Sequence, residues 1–516
     1  MSRGAFAYFG VLSLGVVLTL GYVSLRGGER SACDNQLRIG VLCLDRSSWS
    51  LLRFGIGETL VVVGFDVARE PAPGLATSWQ RIGARRWRFR LREDVRFHDG
   101  TPLSADIVTR ILSGCFEGRF ATEAPVAELR AEKSGAMSVD VVTAHPGISA
   151  PCCLGRLLIL KPESFTESGF SERLVGTGPW KVERIRYGDR LELSRNSDYW
   201  GGAPRLERLV VRQIGDHQTR VLALESGDLD WSQMILRQDI ARLADAGYPV
   251  IRSDFFYDVF IHFNTERAPV DDARVRQAIS FAIDREKIAA GPFEGTAVAA
   301  SSLYPPEVAF FAPGQQSYAY DPDRARALLD EAGWKLRGDS GVRMKEGRSL
   351  VLNLLSRSNR PAHMQAGEII QQELSEVGIR CEYEVVEFGA WEARVNGRRG
   401  FVASLDGRLP SWMPDPVGFI QNEFTSMGSA HTCGLRDARL ERVVRRAMDE
   451  VDEGPRIALI REMQGILAEQ QPWVILVHDL GRETFATAKG LAPVETPFTR
   501  MFAFPGPLTR WSGREE

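Results

Sequence analysis

Hydrophobic positions along the chain recur with two periods, one typical of β-strands and one typical of α-helices. Between Arg86 and Leu91 arginine alternates with apolar side chains, which predicts a half-buried strand with a solvated polar face. A turn is predicted at His98-Asp99-Gly100, where glycine supplies a positive φ. Ser104 then precedes apolar residues at helical spacing, so a helix capped by this side chain is expected over 105–116.

Strand and helix patterns continue to follow one another along the chain. In the first half they predict strands over 37–44, 137–143, 191–195 and 206–214, and a helix over 218–226 that Gly227 ends. In the second half they predict strands over 259–264, 350–356 and 380–387, and helices over 273–285, 362–377 and from Pro322 to Gly333. This mixture indicates α/β architecture.

Length and charge restrict the class of protein. The 516 residues exceed what one ordinary hydrophobic core supports, so two or three lobes are expected. Hydrophobic residues make up 44% of the chain and charged residues 25%, as in soluble globular proteins. The formal net charge of −3 provides no overall positive field, so no nucleic-acid partner is predicted.

The seven cysteines do not follow a zinc-binding pattern. The sequence has no Cys-x-x-Cys pair and only one vicinal pair, Cys152-Cys153. Buried, unreactive thiols are therefore predicted. A chain of this length has enough core to fold without disulfides.

The first 30 residues form a separate segment. Residues 5–25 are almost wholly apolar and lie between Arg3 and Arg26, and about 20 apolar residues is the length of a helix that crosses a bilayer. No convincing signal-peptidase site follows, and Arg30 stands where a lipid-attachment motif before Cys33 would have leucine. Residues 1–30 are predicted to direct export, as an uncleaved membrane anchor in preference to a cleaved signal.

Five short motifs follow one another in the first half of the chain. They are Pro73–Trp79, Trp87–Pro102, Gly176–Trp180, Asn196–Gly201 and Glu225–Asp230. In this order and spacing they resemble the bacterial extracellular solute-binding proteins of family 5, which serve peptide and nickel ABC importers. Residues 259–285 and 320–334 are similar to the second lobe of the same family.

The resemblance implies an α/β fold of the periplasmic-binding-protein type (class II, cluster C), with a ligand cleft between two lobes. It implies lobe I over 36–258, lobe II over 259–482 and a return to lobe I over 483–516. The expected function is extracytoplasmic capture of a small solute by hinge closure and delivery to the permease subunits of an ABC importer, without enzymatic activity or a cofactor. The expected location is the periplasm, with residues 5–25 anchoring the protein to the inner membrane.

One departure from the family pattern concerns peptide ligands. In the peptide-binding branch, an aspartate three residues before an Asp-Pro pair holds the amino group of the peptide. Here Asp415-Pro416 is present, but Trp412 stands three residues before it. An indole offers only a cation–π contact, so a peptide amine loses its charge partner. This departure counts against ordinary dipeptides.

The next loop fits the nickel-binding branch better. In that branch Ser-Met precedes a histidine that coordinates the chelated metal, and here Ser426-Met427 precedes His431. Imidazole is a suitable nickel ligand; the alternative is a solvated histidine in a Gly/Ser loop. Arg119 and Arg156 lie near the segments whose arginines hold the chelator carboxylates in that branch. A surface arginine is the alternative for each.

Two residues complete the predicted site. Trp49 and Arg53 precede Glu58-Thr59-Leu60, where the first lobe of the family contributes to the floor of the cleft. An aromatic wall with one cation suits an organic chelate, and core packing is the alternative for Trp49. The expected ligand is a nickel or other metal chelate, and the alternative is an oligopeptide. A nickel site built only from protein ligands is not predicted.

Signatures of catalysis are missing from the sequence. It has no Gly-x-Ser-x-Gly elbow, no His-Glu-x-x-His and no Walker lysine loop. Gly176-Thr177-Gly178 lacks a third glycine, so it predicts a turn before a strand rather than a phosphate site. A membrane-tethered ligand sensor and a hydrolase are the alternatives from other classes. The first would need a signalling domain, and the second a Ser/His/Asp arrangement in the cleft.

Overall fold

A computed structural model describes most of the chain outside the first 34 residues. The described residues are 35–44, 51, 54–63, 71–117, 129–166, 169–252, 257–306, 308–312, 319–337, 341–396, 400–408, 410, 415–428, 430–479, 484–492 and 510–511. Two large sheets organise them, one of seven strands and one of six. We call the part of the chain around the seven-stranded sheet the first lobe and the part around the six-stranded sheet the second lobe.

The first lobe contains most of the short strands. Its strands are β1 Gln36–Val41, β2 Glu58–Thr59, β3 Val61–Val62, β4 Ala72–Pro73, β5 Ala76–Gly83, β6 Arg86–Leu91, β7 Arg130–Gly135, β8 Ser138–Val142, β9 Leu158–Ile159, β10 Phe165–Thr166, β11 Gly169–Phe170, β12 Trp180–Arg186, β13 Arg190–Arg195, β14 Arg208–Gln213, β15 Trp231–Gln233 and β16 Val250–Arg252. Its helices are α1 Ala105–Phe116, α2 Ala150–Leu154, α3 His217–Ser226 and α4 Arg237–Asp245.

The second lobe contains the longer helices. Its strands are β17 Tyr257–Phe263, β18 Ala297–Ala299, β19 Lys335–Leu336, β20 Arg343–Lys345, β21 Arg348–Ser349, β22 Val351–Arg357, β23 Arg380–Val386, β24 Ala403–Arg408 and β25 Trp473–Asp479. Its helices are α5 Ala273–Phe281, α6 Arg285–Ala290, α7 Pro322–Glu331, α8 Pro361–Glu376, α9 Phe388–Asn396, α10 Pro416–Phe424, α11 Ala438–Asp449 and α12 Glu453–Gln470. The chain ends with β26 Thr484–Thr487, β27 Leu491–Ala492 and β28 Arg510–Trp511.

Local signals account for most element ends. Ser104 caps α1 by accepting the backbone N–H of Ile107 at 3.4 Å, and Gly227 ends α3 with a φ of 82°. One prediction is wrong: the helix expected over 273–285 is divided into α5 and α6. The reason is Asp284, whose carboxylate accepts the N–H of Lys287 at 3.1 Å and so begins a new helix.

The order of strands brings four strand ends together at one edge of the second sheet. That order is β18-β25-β17-β24-β22-β23. Because β17 runs antiparallel to β24 and β25, and β22 runs parallel to β24, the start of β17 lies beside the ends of β22, β24 and β25. The chain crosses from the first sheet into β17 and leaves β25 for β26, which belongs to the first sheet. This edge therefore faces the first lobe.

Both faces of the second sheet are covered. Val259, Ile261 and Phe263 of β17 belong to the core that includes residues of α5 to α8, whereas Phe260 belongs to the core that includes residues of α10 to α12. Asp258 and His262 share the face of Phe260, since side chains alternate along a strand. A strand buried on both faces normally carries only apolar residues. The buried polar residues on this face therefore need partners.

The glycine-rich motif of the first lobe is a packing element. A Cβ at Gly176 would lie 2.0 Å from the carbonyl oxygen of Ile56, and one at Gly178 would lie 2.2 Å from that of Gly55. His98 bridges the turn, since Nδ1 accepts the N–H of Gly176 at 3.3 Å and Nε2 donates to the carbonyl of Gly178 at 3.0 Å. Burial lowers the pKa of His98 to about 4, so the ring is neutral. The motif forms a turn before β12, as predicted.

Three other motif residues meet at one carboxyl group, which we call the Glu58 hub: Glu58, Thr177, Tyr199 and Trp200. The Thr177 hydroxyl donates to Glu58 at 2.8 Å, the Tyr199 phenol at 2.9 Å and the Trp200 indole N–H at 3.1 Å. Arg92 lies over the Trp200 ring at 3.9 Å. Burial raises the pKa of Glu58 to about 7, against the effect of these hydrogen bonds. The hub joins β2 to segments more than 100 residues away in the sequence.

Four of the described cysteines are buried free thiols: Cys115, Cys153, Cys381 and Cys433. None of the helices in the described ranges is long and apolar enough to cross a membrane, and the apolar segment 5–25 lies outside those ranges. The domain boundaries given above stay predictions.

Candidate functional site

Two of the six predicted site residues belong to the described part of the chain. Trp49, Arg53, Arg119 and Trp412 lie outside it. Arg156 and His431 are described, with only 2% and 5% of their surfaces exposed. The alternatives that Arg156 is a surface arginine and that His431 is solvated in its loop are therefore wrong.

His431 lies in the loop after α10, near the polar face of the second sheet. Its neighbour Thr432 places a hydroxyl 3.2 Å from Nε2 of His262, a buried residue of β17. Burial lowers the pKa of His262 to about 3; Asp406 acts in the opposite direction, and Arg408 and His431 lower it further. His262 is therefore neutral, and His431 shares its surroundings with a carboxylate and a guanidinium group.

The carboxylate of Asp406 lies between two arginines at the ends of β22 and β24. Nη2 of Arg357 is 2.7 Å from Oδ1 of Asp406, and Nη1 of Arg408 is 3.3 Å from Oδ2. Pairing of β22 with β24 brings Arg357 beside Asp406. Asp406 is wholly buried, whereas the Arg408 side chain is 31% exposed. Arg408 thus keeps part of its side chain accessible.

A second acid of this cluster comes from α10. Glu423 lies 3.9 Å from Arg408, measured from Oε2 to Nε. Burial raises the pKa of Glu423 to about 7, while Arg408 lowers it and Asp406 raises it. The carboxyl is therefore partly protonated near neutral pH. We call Arg357, Asp406, Arg408 and Glu423 the basic wall, after its two guanidinium groups.

An aromatic surface adjoins the basic wall. The guanidinium carbon of Arg357 lies 4.4 Å from the centre of the Trp391 ring and 5.7 Å from that of Phe388. Trp391 is held by its indole N–H, which donates to Oγ of Ser404 at 2.8 Å. Phe388 is 38% exposed. Rings around a cation keep it oriented and partly desolvated, so Arg357 is preorganised.

The first lobe approaches this region through α2. Burial raises the pKa of the Cys153 thiol in α2, and Asp415 at the start of α10 raises it further. Arg156 follows α2 after Gly155, where a Cβ would lie 2.2 Å from Cγ2 of Val63. The segment that carries Arg156 is therefore tightly packed and lies near the second lobe.

Asp415 is engaged in structural interactions. Its Oδ1 accepts the N–H of Val417 at 3.0 Å and so caps α10. Nη2 of Arg456 lies 2.7 Å from Oδ1 and 2.8 Å from Oδ2. The acid of the Asp415-Pro416 pair is already neutralised, and this leaves no charge for a ligand amine there.

Metal ligands are sparse among the described residues. No group of three or more histidine, cysteine, aspartate or glutamate residues there could hold a metal ion. Cys433, two residues after His431, is buried with Sγ 3.5 Å from the carbonyl oxygen of Glu423. Burial raises the pKa of this thiol to about 12. Cys433 therefore offers no thiolate near neutral pH.

The basic wall was missed by the sequence analysis. Its arginines stand at the last positions of two strands, Arg357 of β22 and Arg408 of β24. A charged residue at the end of a largely buried strand was the available signal. The signal does not reveal that both strand ends meet at one carboxylate, since their pairing spans about 50 residues of sequence.

The chain is similar to one known protein family and to several of its characterised members. The model for bacterial extracellular solute-binding proteins, family 5 Middle, matches residues 70–430. The chain is 27% identical over 367 residues to the nickel-binding periplasmic protein of Escherichia coli strain K12, covering 68% of this chain and 69% of that protein. It is 24% identical over 468 residues to the dipeptide-binding protein of the same strain, covering 83% of each.

Two solved structures have the same fold. NikA from Brucella suis in complex with Fe(III)-EDTA has a TM-score of 0.78 at 25% identity, covering 92% of this chain and 100% of that chain. The oligopeptide-binding protein AppA from Bacillus subtilis, in complex with a nonapeptide, has a TM-score of 0.76 at 20% identity, covering 90% and 97%. The predicted two-lobed α/β fold of periplasmic binding proteins is confirmed.

Proposed function

The chain belongs to the bacterial extracellular solute-binding proteins of family 5, and from that premise we propose that it captures a nickel-type metal chelate for an ABC importer. It is a substrate-binding protein and not an enzyme. Capture proceeds by closure of the two lobes, because a ligand favours the closed state only through contacts that the open state lacks. The closed, loaded form is then presented to the permease subunits.

The two guanidinium groups of the basic wall, with the Arg408 side chain 31% exposed, are the observation that carries the choice of ligand. Small chelators hold a metal with carboxylates, and guanidinium groups bind carboxylates through charge-assisted hydrogen bonds. Arg408 has the more exposed side chain of the two arginines in the wall. His431 acts electrostatically on the same His262 as Arg408 does, and its imidazole suits an open position on chelated nickel.

The scarcity of metal ligands points to the same cargo. Since the described residues offer no cluster that could hold a bare ion, the metal needs to arrive with most of its ligands already in place. The relative from Escherichia coli is named for nickel binding, and NikA from Brucella suis was solved with Fe(III)-EDTA. An anionic chelate can pair with the arginines of the basic wall, and it needs no cluster of metal ligands from the protein.

An oligopeptide is the second candidate, favoured by the extent of the alignments. The dipeptide-binding protein covers 83% of this chain, compared with 68% for the nickel-binding protein. A peptide carboxylate would suit Arg408 as a chelate carboxylate does. The amine would still need an acid, and Asp415 is neutralised by Arg456.

For the N-terminal segment we keep the proposal of export with an inner-membrane anchor at residues 5–25. A relative is named as periplasmic, which agrees with an extracytoplasmic location for the lobes. The test is fractionation of cells that express the full chain, followed by detection of the N-terminus. Release of the protein without detergent would contradict the anchor.

Calorimetric titration of the purified protein tests the ligand class. The three titrants are nickel(II) alone, nickel(II) with L-histidine, and a mixed peptide pool without metal. We expect heat of binding only when nickel and histidine are both present. Binding of peptides without metal would overturn the chelate proposal and favour the second candidate.

A single substitution tests the role of His431. His431→Ala should weaken binding of the nickel–histidine chelate by roughly tenfold or more if the imidazole ligates the metal, since one lost ligand exceeds 1.4 kcal/mol. Peptide binding should change far less. Cys433→Ser, two residues away, is the matched control. Equal affinity of the wild type and His431→Ala would remove this residue from the site.

A further inference from the structure

A turn of the first lobe touches the end of a helix in the second lobe. The backbone N–H of Gly147 donates to the carbonyl oxygen of Met448 in α11 at 2.7 Å. Nδ1 of His145 lies 2.8 Å from Oδ1 of Asp449, the last residue of α11. Ile148 packs against a hydrophobic core in each lobe. Three positions in a run of four residues therefore contact the other lobe.

The chemistry of a helix end explains this contact. The last carbonyl groups of an α-helix have no partner within the helix and carry a partial negative charge. Gly147 supplies an N–H to one of them. A Cβ at position 147 would lie 2.4 Å from the carbonyl oxygen of Glu450 and 2.7 Å from those of Ala447 and Met448. Only glycine fits while the two lobes are in contact.

Backbone conformation does not require this glycine. Gly147 is not among the glycines with a positive φ, so an alanine could adopt its conformation within the first lobe alone. The requirement comes from the second lobe. The position is therefore sensitive to lobe contact rather than to folding of the turn.

A second inter-lobe contact lies at the crossing strands. There the Arg237 guanidinium in α4 pairs with Asp479, the last residue of β25. Among the described elements, the chain passes from the first sheet to the second between β16 and β17 and returns between β25 and β26. When the lobes rotate apart about these two connections, pairs close to them, such as Arg237 and Asp479, stay together. Elements that are not joined to a connection move apart. Gly147 and α11 belong to such elements.

We propose that His145 to Ile148 form a latch that binds the C-terminal end of α11 when the lobes close and so raises the population of the closed state. Arg456 connects the latch to the ligand-binding side. Its Nε donates to the carbonyl of Ala447 at 3.3 Å, while its Nη2 pairs with Asp415 at the start of α10. That helix carries Glu423 of the basic wall. The latch goes beyond the proposed function, because its contacts do not depend on the chemistry of the ligand.

Gly147→Ala tests the latch, with Gly135→Ala as the matched control. A Cβ at Gly135, in the same lobe, would meet only the side chain of Ser138 at 3.6 Å. Affinity for nickel(II) with L-histidine is measured by calorimetry on the full chain. Amide hydrogen exchange of residues 144–149 is followed by mass spectrometry with and without this probe, because it reports directly on the N–H of Gly147.

We expect Gly147→Ala to weaken binding by about tenfold, the equivalent of one lost hydrogen bond and its packing. The probe should slow exchange over 144–149 in the wild type and in Gly135→Ala, but not in Gly147→Ala. His145→Ala should lower affinity by about threefold. Unchanged affinity together with unchanged protection in Gly147→Ala would overturn the latch.

The exchange measurement separates this inference from the proposed function. If the probe binds none of the three proteins, the chelate proposal fails, but exchange without ligand still decides the latch. Faster exchange over 144–149 in Gly147→Ala than in the wild type and Gly135→Ala would support it. Equal exchange in all three would overturn it.

Discussion

The Glu58 hub of the first lobe and the basic wall of the second lobe each enclose carboxyl groups, but different donors surround them. In the hub the donors are a hydroxyl, a phenol and an indole, all neutral. In the wall Arg357 donates to Asp406, and Arg408, whose side chain is partly exposed, forms an ion pair with the same carboxylate. A neutral enclosure stabilises the lobe and offers a ligand no charge, whereas a charged one can attract an anion.

The same pKa therefore has different consequences in the two places. Burial raises the pKa of Glu58 and of Glu423 to about 7. Protonation of Glu58 changes only the stability of the first lobe. Protonation of Glu423 also removes a negative charge beside Arg408, and so makes the wall more positive.

Removal of the central acid of the wall is expected to have the largest effect. Asp406→Ala leaves the buried Arg357 without its counter-charge, which costs about 3–5 kcal/mol when one partner of a buried pair is removed. Urea denaturation of the wild type and the variant measures this difference in the free energy of unfolding. A difference below about 1 kcal/mol would mean that the Arg357 cation does not need this acid.

Removal of the acid of the hub should lower the free energy of unfolding by less, and it should leave ligand binding unchanged. Glu58→Leu leaves three neutral donors without an acceptor, for a loss of about 2–3 kcal/mol in the free energy of unfolding. The folded variant should bind ligand as the wild type does. Thr177→Val, which removes one donor, is the control and should cost about 1 kcal/mol. A loss of ligand affinity in folded Glu58→Leu would contradict a purely structural hub.

Arg408→Met should do the opposite of Glu58→Leu: it should lower ligand affinity and leave the free energy of unfolding nearly unchanged. The affinity for a carboxylate-bearing ligand should fall by about 1.5–3 kcal/mol, while the free energy of unfolding changes by less than about 1 kcal/mol, because the side chain is partly exposed. Calorimetry and urea denaturation measure the two quantities. Arg436→Met is the control in the same lobe, since that side chain is 84% exposed. Equal affinities for all three proteins would exclude Arg408 from the cleft.

The smallest expected effect is the response to pH. Both glutamates hold a proton up to about pH 7 in the folded state, whereas their ordinary pKa is 4.5. Between these values the unfolded chain binds fewer protons, so the free energy of unfolding should fall as pH rises from 5 to 8. Glu58→Gln and Glu423→Gln should each flatten part of this dependence.

Ligand binding should respond to only one of these two titrations. Affinity for a carboxylate-bearing ligand should fall as the pH rises from 6 to 8, because Glu423 then ionises beside Arg408. Glu423→Gln should flatten this profile, and Glu58→Gln should leave it as in the wild type. Identical profiles for both variants would mean that the hub and the wall do not differ in the way proposed.

The sequence by itself determined the fold class and most of the elements, because their signals are local. Ser104 caps a helix, Gly227 ends one and Pro322 begins one within a few residues of the pattern they interrupt. One predicted helix is an exception to this agreement. Asp284 divides the helix predicted over 273–285, since its side chain caps a new helix inside an otherwise helical pattern.

Only the tertiary structure decided which side chains act together. His431 was predicted from its loop, but the arginines of the basic wall were not, because β22 and β24 are brought side by side only in the sheet. Likewise the latch unites Gly147 with Met448, which lies 301 positions later in the sequence. Hydrophobic period and capping act over a few residues and specify elements. Ion pairs and lobe contacts depend on how those elements pack, and no local pattern encodes that.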